Sequence, residues 1–161
     1  MNKAYLLLGS NMGNSLDQLN TAIKHITSNT GKITLSSSLY ATAAWGNTNQ
    51  ADFLNQVIVI ETLLTAKETL QSILAIEIMM GRIRTVKNAP RIIDIDILFF
   101  NKDIIKEKNL IVPHPEIQNR RFVLIPLNEI EPQLMHPVFN KTVSQLLQES
   151  NDQLNVKKFY P

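Results

Sequence analysis

Apolar and polar positions recur along this chain with two periods, and those periods predict its elements. Ala4 to Leu8 is a short apolar run, read as a first buried strand. A turn-rich stretch, 9–14, follows and opens a helix. In that helix Ser15 and Gln18 form a capping box, Leu16, Leu19, Ile23 and Ile26 share one face, and Gly31 is the stop. From Lys32 to Tyr40, Ile33, Leu35, Ser37 and Leu39 alternate with Thr34, Ser36 and Ser38, which predicts a second strand. Ala41 to Asp52 has no period and reads as a loop. Phe53 to Thr62, rich in Val and Ile, is a third strand. Thr65 and Glu68 form another capping box, opening a helix with a stripe at Leu70, Ile73, Leu74 and Ile78 and an end at Gly81. Glu77 falls on the edge of that stripe, where a solvated side chain is the expected state; its nearness to a basic loop also makes it a candidate site residue. Ile92 to Phe100 is a fourth strand. Asn101 to Asp103 is a turn, with Ile104-Ile105 returning as a hairpin. Leu110 to Val112 is a short run closed by Pro113-His114-Pro115, and Val123 to Ile125 is cut by Pro126. Thr142 to Gln148 is a last short helix, and the tail from Glu149 is polar.

Strand, helix, strand, strand, helix, strand is the βαββαβ order of a ferredoxin-like core. It predicts an α+β fold: a largely antiparallel sheet with helices packed on it and a C-terminal extension. The length, 161 residues, suits a single domain over 1–161.

Chemistry enters at Ile93-Asp94-Ile95-Asp96-Ile97. At period two, Asp94 and Asp96 point to one face of the strand and the isoleucines to the other. Carboxylates two apart on a strand lie roughly 7 Å apart and raise each other's pKa unless a cation lies between them. A divalent metal is the simplest such cation, and oxygen-only ligands suit Mg²⁺. Just upstream, Gly81 to Arg91 carries Arg82, Arg84, Lys87 and Arg91 and no acid. Guanidinium groups facing metal-type carboxylates suggest a polyphosphate site. A D-x-D pair can also be a plain solvated edge, but charges inside so apolar a run need a partner.

Composition narrows the class. A net charge of +2, with the basic residues gathered in one loop and in Lys157-Lys158, is no nucleic-acid footprint. The absence of Cys excludes disulfides and thiolate metal sites. No apolar run approaches ~18 residues, so no membrane span is expected. The default is a cytoplasmic protein.

Ala89-Pro90-Arg91-Ile92-Ile93-Asp94-Ile95-Asp96-Ile97 resembles the G-P-R-x-x-D-L-D-I signature of the 6-hydroxymethyl-7,8-dihydropterin pyrophosphokinases, enzymes of folate biosynthesis. The likeness extends along nearly the whole chain. Leu8-Gly9-Ser10-Asn11 resembles the family's opening, Tyr40-Ala41-Thr42 and Gly46 its second loop, and Asp52-Phe53-Leu54-Asn55 its D-[YF]-L-N. Gly81-Arg82-Ile83-Arg84 is similar to G-R-x-R, Val112-Pro113-His114 to V-P-H, and Asn119-Arg120-Arg121-Phe122 to N-R-x-F. Ala89, Leu74 and Pro115 depart from the family pattern.

The resemblance implies an ATP-dependent enzyme that transfers pyrophosphate to the hydroxymethyl pterin and releases AMP. It implies that Asp94 and Asp96 hold two Mg²⁺ ions, and that Arg82 and Arg91 join them as catalytic residues. ATP would be bound by Arg82, Arg84, Arg91, His114 and Arg120, with Glu77 added to the ATP site for its position near the basic loop. The pterin would lie between Phe53 and Phe122, with Asn55 on its polar edge and Thr42, Ala43 and Trp45 alongside. The expected partners are these two substrates, with no nucleic acid and no membrane, and the expected state is a monomer. Two other readings stand beside this one: another Mg²⁺-dependent nucleotidyl- or phosphotransferase using the same D-x-D, and a ferredoxin-like nucleic-acid-binding module.

Overall fold

The computed structural model describes residues 1–43, 51–82 and 90–161. Its central sheet is built from β1 (Asn2–Ser10), β2 (Lys32–Ser36), β3 (Leu39–Thr42), β4 (Phe53–Thr62), β5 (Asp94–Phe100) and β10 (Val156–Phe159). The strands run in the order β10-β3-β4-β1-β5, with β2 also paired to β4, and every pairing is antiparallel. Taken as one broken strand, β2 and β3 complete the βαββαβ order with α1 (Ser15–Asn29) and α2 (Ala66–Met79).

β1 is apolar from Ala4 to Leu8 because both faces of the sheet are covered there. Ala4, Leu6 and Leu8 join a core with Leu19, Ala22 and Ile26 of α1 and Ile73 and Ile76 of α2. Tyr5 and Leu7 point the other way, to Val123, Leu124 and Leu127 of α3 (Arg121–Ile130) and Val143 and Leu146 of α4 (Val143–Glu149). Leu6 pairs with Ile97 but Tyr5 with Phe99, so Leu98 is the extra residue of a bulge. Leu98 and Phe99 therefore both enter the second core.

Several local expectations are corrected. The cap of α1 is Asn14, one residue earlier than the Ser15 box, because its extended backbone lets the side chain accept from the Asp17 amide. The strand over Lys32 to Tyr40 breaks at Ser37 and Ser38, and its second half continues to Thr42. Glu129 of α3 causes that break, accepting from both the amide and the hydroxyl of Ser38 at 2.6 Å. The hairpin after Asn101 does not return on β5; β6 (Ile105–Glu107) pairs with β7 (Leu110–Val112) in a separate ribbon. Pro126 does not end its segment but sits inside α3, where it has no N–H to give the carbonyl of Phe122. The polar tail returns to the sheet as β10 beside β3, after the two-stranded ribbon β8 (Met135–His136) and β9 (Lys141–Thr142).

The capping box at Thr65 and Glu68 forms as the sequence predicts, but the helix behind it is rotated from the predicted stripe. Ile78 is 74% exposed and Leu74 lies at the surface, whereas Glu77 is only 2% exposed. Burial is on the Thr69, Ile73, Ile76 and Glu77 side, against edge strand β5.

Candidate active site

The site begins where the α3 side of the sheet is left open, at one end of β1, β4 and β5. Register sets Asp94 and Asn55 on either side of Gly9, with Asp96 next to Leu7 one step further in. Gly9 has a steric reason: a Cβ there would lie 2.6 Å from Asn55 Oδ1. Asn55 is 4% exposed, and its Nδ2 donates to Thr42 Oγ1 at 3.1 Å across the β3–β4 pair. The amide is thereby fixed, with its oxygen beside Gly9 at the floor of a cavity of about 140 Å³. Phe53 and Phe122 form walls of that cavity, and Thr42, Ala43, Arg91, Asp94, Asp96 and Arg120 complete its lining. A cation stands over each ring: Arg91 Cζ is 5.9 Å from the Phe53 centroid and Arg120 Cζ is 5.7 Å from that of Phe122.

Behind Asp94 the charges are organised by the end of α2. Gly81, at φ +89°, closes the helix with a Schellman motif: its amide bonds to Ile78 O and the Arg82 amide to Glu77 O, each at 3.0 Å. The residue that follows such a glycine packs back on the last turn, so Arg82 meets Glu77. Arg82 Nη1 donates to Glu77 Oε2 and to Asp94 Oδ1, both at 2.7 Å. Burial works against the Arg82 charge, and the two carboxylates more than offset it, so the guanidinium stays protonated. Glu77 Oε2 also accepts from the Ile95 amide at 2.8 Å, satisfying a donor on the outer edge of β5. The solvated Glu77 expected from the helix stripe is thus corrected: the unpaired edge of β5 draws it inward.

Asp96 differs from Asp94. Burial first, then the negative charges of Asp94 and Glu77, push its carboxyl up to about 7, against the pull of Arg120 and Arg82. That is the signature of negative charge short of a cation. Two oxygen donors on one strand face, open to a cavity, fit Mg²⁺, which keeps water and substrate oxygens for its remaining positions. Among the described residues no group of three His, Cys, Asp or Glu side chains is placed to hold a metal by itself.

Asp96 also lines a second space, a groove of about 830 Å³ between α2 and the β6–β7 ribbon. Leu70, Leu74, Leu110 and Ile111 give it apolar walls, and His114 stands at its inner end. His114 Nδ1 accepts from the Glu116 amide at 3.1 Å, which leaves the ring proton on Nε2. Burial, then the Arg120 charge, lowers its pKa, so the imidazole is neutral at pH 7.

Most residues singled out in the sequence converge here, with three qualifications. Arg120 lines the small cavity rather than the groove. Glu77 and Arg82 line neither space, and Arg82 reaches the site through its bond to Asp94. Arg84, Trp45 and Gly46 fall outside the described residues. Sequence reasoning missed the roles of Gly9 and Asn11. Asn11 Oδ1 accepts from the Arg91 amide at 2.8 Å, its own amide donates to Arg91 O, and its Nδ2 donates to Ala51 O. It ties Arg91 to the segment entering Phe53, and the Gly9-Ser10-Asn11 run was the one available signal.

Cation-holding carboxylates and anion-neutralising guanidinium groups beside a ring-walled slot with an amide floor define a class: enzymes that move phosphate groups onto a flat, polar ring system. The comparisons make this specific. Residues 5–132 match the family model described as 7,8-dihydro-6-hydroxymethylpterin-pyrophosphokinase. A Methylorubrum extorquens protein named 2-amino-4-hydroxy-6-hydroxymethyldihydropteridine pyrophosphokinase is 38% identical over 91% of this chain and 92% of its own length. One of the same name from Aquifex aeolicus is 39% identical over 93% of each chain. In three dimensions, Plasmodium falciparum HPPK-DHPS superposes with a TM-score of 0.77 at 22% identity, over 92% of this chain and 43% of that one. That likeness supports the fold alone. The chain belongs to the 7,8-dihydro-6-hydroxymethylpterin-pyrophosphokinase family.

Proposed function

We propose that this protein transfers pyrophosphate from ATP to the hydroxymethyl group of 6-hydroxymethyl-7,8-dihydropterin, releasing AMP, in folate biosynthesis. The observation that carries the reading is that the small cavity and the long groove share Asp96. The pterin occupies the cavity and ATP the groove, so the two substrates meet at the Asp94/Asp96 carboxylates. Phe53 and Phe122 hold the ring by its faces, and Asn55 offers an acceptor to its amide-like edge. Leu70, Leu74, Leu110 and Ile111 receive the base, and His114 presents an Nε2–H donor to the nucleotide.

In the reaction the pterin hydroxyl oxygen gives up its proton to solvent and bonds to the β-phosphorus as the bond from that phosphorus to the α-phosphate oxygen breaks, and AMP leaves with that oxygen. Such a transfer needs in-line positioning and charge neutralisation more than covalent help. Asp94 and Asp96 are the residues that hold Mg²⁺, two ions in this proposal. When bound, the metal neutralises the phosphate oxygens as a Lewis acid. Arg91 reaches the same place from the opposite wall, its Nη1 3.7 Å from Asp94 Oδ2. Arg84 and Trp45 are assigned to the phosphates and the pterin by family resemblance. The protein is further proposed to act as a cytoplasmic monomer without a nucleic-acid partner. The small net charge of +2 supports the absence of a nucleic-acid partner, and no described helix is long and apolar enough to cross a membrane.

³¹P NMR of ATP, Mg²⁺ and the hydroxymethyl pterin with this protein tests the reading. AMP together with a pterin diphosphate is the expected result, and ADP with a pterin monophosphate would overturn it. Two substitutions test the cavity. Phe122→Ala is expected to weaken pterin binding by about 1–3 kcal/mol, the scale of a lost stacking partner. Gly9→Ala is expected to weaken it about tenfold by displacing Asn55, at a few degrees' cost in Tm. Calorimetric titration reads both, and wild-type affinity in either variant would place the pterin elsewhere.

A further inference from the structure

The segment after α4 lies beyond the region matched by the family model, which ends at residue 132. It nevertheless bonds to residues in or next to the cavity lining at two places. At the first, α3 opens with Arg120 at its N-cap, and that side chain makes no capping hydrogen bond. The first amide of the helix, Arg121 N, donates instead to Asp152 Oδ2 at 2.9 Å, across 31 positions of chain. Arg121 lies between Arg120 and Phe122, both of which line the cavity. At the second, Val156 pairs with Thr42, whose hydroxyl accepts from Asn55.

Asp152 is itself held in place. Its Oδ1 accepts from the Leu154 amide at 3.0 Å, and its own amide donates to Ser150 Oγ at 3.2 Å. A helix N-terminus presents unsatisfied amides and the positive end of the helix dipole, so a fixed carboxylate there is favourable twice over.

We propose that Asp152 is a positioning residue for the acceptor pocket: by capping α3 from the C-terminal segment, it sets where Arg120 and Phe122 stand. The inference rests on the reading that the small cavity takes the pterin. Asp152 does not touch the ligand. It acts through the first turn of α3, which carries one aromatic wall and the cation behind it.

The test compares the wild-type 161-residue chain with Asp152→Ala, Asp152→Asn and Arg121→Pro by calorimetric titration with the hydroxymethyl pterin at about 25 °C, alongside melting curves. Thr65→Ala serves as the stability control, because it removes the capping box of α2 at the end of that helix far from Glu77. Asp152→Ala is expected to weaken pterin binding about tenfold, the scale of a lost cap. Asp152→Asn keeps an acceptor oxygen and is expected to bind within about threefold of wild type. Arg121→Pro removes the donor at a position where proline is tolerated and follows an extended residue, so it is expected to match Asp152→Ala. Thr65→Ala is expected to lose a comparable Tm and bind pterin normally. Wild-type affinity in Asp152→Ala or Arg121→Pro overturns the proposal, as does failure of Asp152→Asn to restore binding or an equal loss in Thr65→Ala. If the wild type itself fails to bind the pterin, the reading of the cavity is wrong, an outcome distinct from the others.

Discussion

Asp96→Asn is expected to abolish most turnover and, in the metal-free protein, to raise stability. The two effects have one cause. Burial and the neighbouring Asp94 and Glu77 hold the Asp96 carboxyl near 7, well above its ordinary 3.8. Below about pH 4 the group is protonated in the folded and unfolded chains alike, and it is neutral in its effect. Between 4 and 7 the unfolded chain has lost the proton that the folded chain still holds, so stability falls as pH rises. Above 7 both are ionised and the penalty is complete. The amide has no charge to bury, so Asp96→Asn is expected to gain about 1–3 kcal/mol at pH 8 and little at pH 4. Turnover is expected to drop about 10²–10³-fold, because a neutral amide holds Mg²⁺ poorly, and with the ion goes the positive charge that would balance the phosphates. Urea melts in EDTA at both pH values, together with the ³¹P assay at saturating Mg²⁺, read the two effects. A variant less stable at pH 8, or one of near-normal activity, would remove Asp96 from the metal site.

Arg82→Ala is the second large effect, and here activity and stability fall together. The Arg82 side chain is 9% exposed and bridges Glu77 and Asp94. Removing one member of a buried ion-pair cluster leaves charge without a counter-charge, which costs about 3–5 kcal/mol. Turnover is expected to fall about 10²-fold or more through loss of a guanidinium beside the transferred group, with pterin affinity nearly unchanged. A double variant separates the two roles. Adding Glu77→Gln to Arg82→Ala removes the stranded carboxylate while keeping an acceptor for the Ile95 amide, so most of the stability returns. Activity does not return. Recovery of both by the double variant would make Arg82 a purely structural partner of Glu77.

The split between what was legible in the sequence and what was not follows the range of the interactions. β4 runs from Phe53 to Thr62 as its Val- and Ile-rich pattern predicts, and the box at Thr65 and Glu68 caps α2 as expected. Both are decided within a few residues, by strand period and by a side chain reaching its own neighbouring amide. The Asp94/Asp96 pair was legible for the same reason: a two-residue repeat sets their common face whatever the rest of the chain does.

By itself, then, the sequence determined the βαββαβ order, the Thr65 cap of α2, the carboxylate pair and the motifs that mark the family. Tertiary structure alone decided which side of α2 is buried, because the unpaired Ile95 amide on β5 turns Glu77 inward and leaves Ile78 in solvent. It decided the break at Ser38, where Glu129 takes the amide from 91 positions away. It decided that Asn11 holds Arg91, 80 positions on, and that a polar tail closes the sheet beside Thr42. Each of these satisfies a backbone donor or acceptor with a partner far along the chain. Periodicity records only what a residue's near neighbours require, so such partners are set when the sheet edges and helix ends meet in space.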